Sequence, residues 1–160
     1  MPGSERFVAD HMLGKLARWL RLAGFDTLYL KPASYSDLIC AAKKEGRTIV
    51  SRHTGLFKVR EITGGEIKGL LLRDDDIDAQ IKQVLTDLDI RISPVIRRCP
   101  EDNRQLDETV KEQARPFVPR YVYQTQQTFD RCAVCNRFYW RGTHHRSISL
   151  RLAGVLKEAS

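Results

Sequence analysis

Asp10 stands between two apolar segments, and this placement constrains the fold more than any other feature of the chain. Phe7-Val8-Ala9 reads as a short strand, and a helical pattern begins directly after the acid. Leu13, Leu16, Ala17, Leu20 and Ala23 share one face of that helix, with Lys15, Arg18 and Arg21 on the others. Gly24 suits its end, because glycine takes a left-handed conformation without a Cβ clash. An acid at the handover from strand to helix lies where open α/β sheets bind ligands, outside the carboxyl ends of the strands. Burying a carboxylate there is costly unless it has a partner.

The pattern then repeats. Strands are expected over 26–30, 48–51 and 69–73, and helices over 34–45, 56–62 and from Ile77 to Leu88. Lys31-Pro32-Ala33 breaks the second strand. Ser34 with Asp37 three residues later makes a variant capping box, and Gly46 and Gly64-Gly65 close the following helices. Strand–helix alternation of this kind predicts a parallel sheet with helices on both faces. Cys40 is expected to be a buried thiol on the apolar face of its helix.

The composition shifts near 91–98. Two turns, Cys99-Pro100-Glu101-Asp102-Asn103 and Cys132-Ala133-Val134-Cys135-Asn136, frame the segment that follows. A polar stretch with helical character spans 107–114, and Pro116 and Pro119 break the chain. Short strands are expected at Tyr121-Val122-Tyr123, Phe129-Asp130-Arg131 and Phe138-Tyr139-Trp140, with a terminal helix over 147–158. Two turns and several short strands describe a zinc-ribbon-like module. The expected organisation is therefore a domain over 5–92 and a module over 93–160.

Charge points toward nucleic acid. The chain carries 27 basic and 20 acidic residues, a net +7, and most of the excess follows Ser93. Solvated lysines and arginines give the same balance. Arg131, Arg137, Arg141 and Arg146 interleave with Tyr121, Tyr123, Phe138, Tyr139 and Trp140. Such a surface can hold single-stranded RNA by phosphate contact and base stacking. The same aromatics also suit the core of a small module. No apolar run approaches the ~20 residues that span a bilayer. The start, Met1-Pro2-Gly3-Ser4, is polar and carries no signal-peptide pattern. Four cysteines in that context read as thiols or metal ligands, and the expectation is a cytoplasmic protein.

Acids recur at one kind of place: Asp10 after the first strand, Asp37 in the first turn of the second helix, and Asp74-Asp75-Asp76 after the fourth strand. Converging carboxylates repel unless a cation lies between them. Hard oxygen donors suit Mg²⁺ or Mn²⁺, which can activate water and clamp a phosphodiester. Asp37 fits equally as a helix cap, and at least one of Asp74–Asp76 as the start of the last helix.

The run from Val8 to Asp26 resembles the opening of the Mut7-C RNase domain family. Ser51-Arg52-His53, Leu71-Leu72-Arg73-Asp74-Asp75-Asp76 and Tyr139-Trp140-Arg141-Gly142-Thr143-His144 match it in order. The resemblance implies a PIN-like nuclease domain with an appended zinc ribbon, and metal-dependent ribonuclease chemistry on RNA. By carry-over, Asp10, Asp37 and Asp75 or Asp76 hold Mg²⁺ or Mn²⁺. Lys15, Arg18 and Arg52 are candidates for phosphate contact. Arg137, Arg141 and His144 are candidates for RNA binding in the module.

Two departures from the family pattern stand out. His53 replaces the acid of a Thr-Arg-Asp motif, which favours Mn²⁺ or weakens catalysis, because imidazole brings no negative charge. Asp102 stands where a second cysteine of the first turn is usual, so the expected zinc ligands are Cys99, Asp102, Cys132 and Cys135, with His144 or His145 as substitutes. The leading expectation is an endoribonuclease. The alternatives are an RNA-binding protein that lost its chemistry at His53, or a module docking on a ribonucleoprotein or ribosome.

Overall fold

Four parallel strands run through the centre of the N-terminal half. The computed structural model describes residues 5–31, 34–92 and 97–159, with side chains as far as Val155. The expected break at Pro32-Ala33, the start of the second unit at Ser93 and the Met1–Ser4 tail lie outside the described residues.

The strands are β1 (Arg6–Ala9), β2 (Asp26–Tyr29), β3 (Thr48–Ser51) and β4 (Gly69–Leu71), hydrogen-bonded in the order β2-β1-β3-β4. All pairings are parallel, with Val8 opposite both Leu28 and Ile49. Between them run α1 (Gly14–Leu22), α2 (Tyr35–Glu45) and the short α3 (Arg60–Thr63), and α4 (Ile77–Asp87) follows β4. Side chains alternate across a strand. Phe7, Ala9 and Val50 therefore enter one core with α1 and α4, while Val8 and Ile49 enter a second core with Leu38 and Ala42 of α2. Every residue of β3 is buried, as a strand covered on both faces requires. This is the expected α/β sheet with helices on both faces.

The helix ends follow local chemistry. Gly24 and Gly46 have φ of 98° and 65°, conformations that cost a Cβ-bearing residue energy. The Ser34–Asp37 capping box forms in full: each residue's side chain accepts from the other's backbone N–H. Cys40 is exposed, contrary to expectation. The buried face of α2 is set by Leu38 and Ala42, one turn apart. Cys40 lies two residues from each, about 200° around the helix, and so points away from the sheet.

The second half forms a small antiparallel sheet of β5 (Asp107–Thr109), β6 (Phe129–Arg131) and β7 (Phe138–Tyr139). The polar 107–114 stretch divides into β5 and the one-turn α5 (Lys111–Ala114). Tyr121-Val122-Tyr123 is helical, in α6 (Arg120–Thr125), not a strand. Pro119 stands at the helix start, and only Val122 turns inward, onto Ala114 and Phe129. Tyr123 lies beneath Lys111 Nζ, 4.8 Å from the ring centroid, and so is held from outside that core.

The last helix, α7 (Thr143–Ala159), begins four residues before the predicted start. Its Ile148, Leu152 and Val155 join the core of α1 and α4, and Arg151 Nε lies 2.9 Å from Asp78 Oδ1. The chain's end thus closes over the first sheet's helical layer. No helix among the described residues is long and apolar enough to cross a membrane.

Candidate active site and metal centre

The strand order places Asp10 and Ser51 side by side. From β1 the chain leaves toward β2, and from β3 toward β4, so the carboxyl ends of β1 and β3 form the switch point where α/β sheets open a crevice. Asp10 follows β1 and Ser51 ends β3. Asp10 is 2 % exposed, and its Oδ2 accepts from Ser51 Oγ at 2.8 Å. Ser51 Oγ in turn accepts the His53 N–H at 3.1 Å.

Two histidines flank the carboxylate. His53 Nε2 is 3.5 Å from Oδ2, and His11 Nδ1 is 2.7 Å from Oδ1. Despite that short separation, Oδ1 is buried and makes no hydrogen bond, because the imidazole is not aligned to donate. The His11 and His53 ring centroids are 6.1 Å apart. Asp10 is therefore an acceptor with one free oxygen and a nitrogen donor group on either side. Imidazole donors suit Mn²⁺ better than Mg²⁺, but the two rings and the carboxylate do not converge on one point as a ligand set.

The other predicted acids have local work. Asp37 is exposed, and its Oδ2 accepts from the Ser34 N–H at 2.9 Å and the Ser34 hydroxyl at 2.8 Å. These bonds hold its carboxyl below the usual range. Asp76 caps α4 by accepting from Ala79 N–H at 3.0 Å, and donates its own N–H to Asp74 at 2.9 Å. That N–H bond first, and then the nearby Arg52 charge among others, keeps Asp74 low. Asp75 and Asp76 line a groove of about 370 Å³ with Lys15 and Arg52. Among the described residues, no three carboxylate or imidazole ligands converge at Asp10; the one such cluster is at the cysteines.

The two cysteine turns are copies of each other. Cys99 O accepts from Asn103 N–H at 2.9 Å, and Cys132 O from Asn136 N–H at 2.8 Å. Both asparagines are left-handed, with φ of 63° and 60°, a conformation asparagine tolerates better than most residues. The fourth residue of each turn is Asp102 or Cys135, so the carboxylate takes the position of a thiol. The ligand atoms of Cys99, Asp102, Cys132 and Cys135 all lie within 4.8 Å of one another. Cys99 Sγ is 3.9 Å from Cys135 Sγ and 3.8 Å from Asp102 Oδ2. Two sulfurs bound to one tetrahedral zinc are about 3.8 Å apart. The cluster can hold a metal ion such as zinc.

Without an ion the crowded thiols and carboxylate act on one another. Burial, reinforced by Asp102 and the other thiols, pushes the Cys135 thiol up to about 12. Hydrogen bonds from Cys135 and the other thiols hold Asp102 below the usual carboxylate range. A divalent cation among them would favour thiolates instead. Tyr139 Oη lies 3.2 Å from Cys99 Sγ, an outer partner to a candidate ligand.

The predicted RNA contacts divide into two groups. Lys15 and Arg52 face the acidic groove. Arg18, Arg137, Arg141 and His144 line a separate cleft of about 480 Å³ beside β7 and α7. Arg18 pairs with Glu101, and Arg137 Nη1 lies 3.8 Å from the same carboxylate. Arg21 is buried rather than exposed. Its guanidinium donates to Thr27 O at 2.9 Å, Pro100 O at 3.0 Å and Glu101 O at 3.1 Å.

Several participants escaped the sequence reading. His11 adjoins Asp10 in the chain and could have been found there. Ser51 is brought to Asp10 only by the pairing of β1 with β3.

A model of the Mut7-C RNAse domain matches residues 5–152. No curated protein and no solved structure matches the chain. The matched span includes both the sheet edge that carries Asp10 and the paired cysteine turns, and the chain belongs to the Mut7-C RNAse domain family.

Proposed function

We propose that the protein is a divalent-metal-dependent endoribonuclease that hydrolyses RNA phosphodiester bonds at the carboxyl edge of the parallel sheet, in the cytoplasm. The observation that supports this is the buried Asp10, whose Oδ1 makes no hydrogen bond. A desolvated carboxylate oxygen without a donor is destabilising by itself and is relieved by a cation. Asp10, with His11 and His53 beside it, would hold a divalent ion, and such an ion supplies Lewis acidity and a water of lowered pKa. Asp75 and Asp76 stand in the adjoining groove, and Lys15 and Arg52 there would take the RNA phosphates. Asp37 belongs to this reading as the family's second acid, with the capping role it already fills.

A second reading is RNA binding without efficient cleavage, alone or on a ribonucleoprotein. It is favoured by the absence, among the described residues, of three converging ligands at Asp10. One experiment separates the two: structured and single-stranded RNAs are incubated with the purified chain and Mg²⁺ or Mn²⁺, beside Asp10→Asn. Cleavage by wild type, lost in Asp10→Asn while RNA binding persists, supports the nuclease. Binding without cleavage by wild type supports the second reading.

A further inference from the structure

Consecutive residues after β3 go to opposite faces of the parallel sheet. Arg52 lines the acidic groove with Leu16 of α1 and with Ile77 and Gln80 of α4. His53, the next residue, meets Tyr35, the first residue of α2. Their ring centroids are 6.3 Å apart and the planes cross at 62°. Helices α1 and α4 cover one face of the sheet, and α2 covers the other. His53 Nε2 is also 3.5 Å from Asp10 Oδ2, so Tyr35 is one side chain removed from the carboxylate. The sheet edge at Asp10 therefore has a cationic groove on one side and an aromatic ring on the other.

Neither packing nor capping accounts for Tyr35 at this place. It is 40 % exposed and belongs to neither core of the parallel sheet. Ser34 and Asp37 make the cap of its helix without it. Among the described residues, its hydroxyl makes no hydrogen bond. The phenol leans instead over Gly55, where a Cβ would come within 2.9 Å of the hydroxyl oxygen. That glycine and His53 seat the ring, and the rest of it stays open to solvent. A nucleotide has two needs, cations for its phosphate and an apolar surface for its base. Lys15 and Arg52 meet the first, and a seated, open aromatic ring meets the second, because every base has a π-face that stacks.

We propose that Tyr35 is a base-stacking residue of the Asp10 site for single-stranded RNA: one nucleobase packs on its ring on the α2 side of the sheet edge, while neighbouring phosphates lie in the Lys15–Arg52 groove on the α1–α4 side. The inference rests on the RNA reading above. It adds the strand form of the substrate and the side of the sheet on which its base lies. A base paired in a duplex is held in its own stack and does not reach Tyr35, so the site favours unpaired strands. Stacking reads no hydrogen-bonding edge, so the site tolerates any base.

The test measures binding in the absence of added Mg²⁺ or Mn²⁺, so that cleavage does not interfere. Three labelled probes of equal length are titrated with the full chain: an oligouridylate, the same ribose-phosphate chain without bases, and an RNA duplex. Tyr35→Ala should weaken oligouridylate binding by roughly fivefold or more, the least that one lost base stack costs. It should leave the base-free chain and the duplex at wild-type affinity, because both are held by phosphate contacts alone. Tyr35→Phe keeps the ring and should bind all three probes as wild type does. Loss by the same factor on all three probes, no loss on oligouridylate, or a loss that Tyr35→Phe shares overturns the stacking role while leaving RNA binding in place. Failure of the wild-type chain to bind any of the three overturns both.

Discussion

Asn103 Oδ1 accepts the Thr27 N–H at 2.8 Å, so the first cysteine turn closes the free edge of the parallel sheet. Thr27 lies on β2, an outer strand whose far-side N–H groups would otherwise lack partners. The same asparagine donates from Nδ2 to Asp26 Oδ1 at 2.7 Å. Arg21 clamps the turn from α1 by donating to two of its carbonyls. A candidate metal turn and a sheet edge thus share one hydrogen-bond network.

Arg21→Met should therefore weaken both parts together. Its removal leaves buried carbonyls of Thr27 and Pro100 without that donor, at a cost of about 1–3 kcal/mol for each group left unsatisfied. Urea unfolding should show a lower midpoint, and zinc titration a lower affinity. A loss of stability with zinc affinity unchanged would show that the turn holds its shape without the clamp.

Asp102→Cys should raise zinc affinity by about tenfold or more, because thiolate replaces a harder oxygen donor at a tetrahedral site. Elemental analysis should find zinc in wild type, and chelation should lower its melting temperature. Cys132→Ser should lower zinc content, since Cys132 Sγ sits 3.4 Å from Asp102 Oδ2 inside the ligand set.

His53→Asp should shift cleavage toward Mg²⁺. The imidazole stands 3.5 Å from Asp10 Oδ2, and a carboxylate there adds negative charge that a hard cation prefers. The Mg²⁺-supported rate should rise by about tenfold, equivalent to about 1.4 kcal/mol of barrier. Wild-type activity should prefer Mn²⁺, because imidazole is a softer donor than carboxylate. A rate series of wild type and variant with both metals checks this. An unchanged metal preference in His53→Asp would place residue 53 outside the chemistry.

Asp26 should contribute to acid sensitivity. Burial pushes its carboxyl up, but hydrogen bonds from Arg47 and Asn103 and the Arg47 charge outweigh that and leave it below the usual range. A carboxyl lowered in the folded state adds stability above its unfolded value of ~3.9, and that contribution fades as pH falls through the folded value. Asp26→Asn should thus lower the urea midpoint near neutral pH. The gap from wild type should close as pH drops below about 4. A gap that stays constant over that range would mean the loss is steric.

Elements set by neighbours in the chain were legible before any coordinates. The strand–helix alternation, the Ser34–Asp37 box, the left-handed Gly24 and Gly46, and the two cysteine turns each depend on a few adjacent residues. Hydrophobic period and backbone sterics act over that distance. The cluster of Cys99, Asp102, Cys132 and Cys135 was legible for the same reason: each turn fixes its own pair, and the pairs needed only to meet.

What a distant partner covers was not legible. Arg21 looks like a solvated arginine until the turn at Pro100 supplies its carbonyl acceptors. Ser51 reaches Asp10 only because β3 pairs with β1, and a period-two pattern does not specify its neighbour. From sequence Asp37 reads equally as a ligand and as a cap, and the Asp74–Asp76 run supplies both a helix start and a further candidate acid. The hydrogen bonds of Asp37 to Ser34 and of Asp76 to Ala79 are local, whereas convergence on Asp10 depends on where the crossovers set the helix starts. Tertiary structure decided these points because desolvation and long-range pairing, unlike capping, are properties of the packed chain and not of any segment within it.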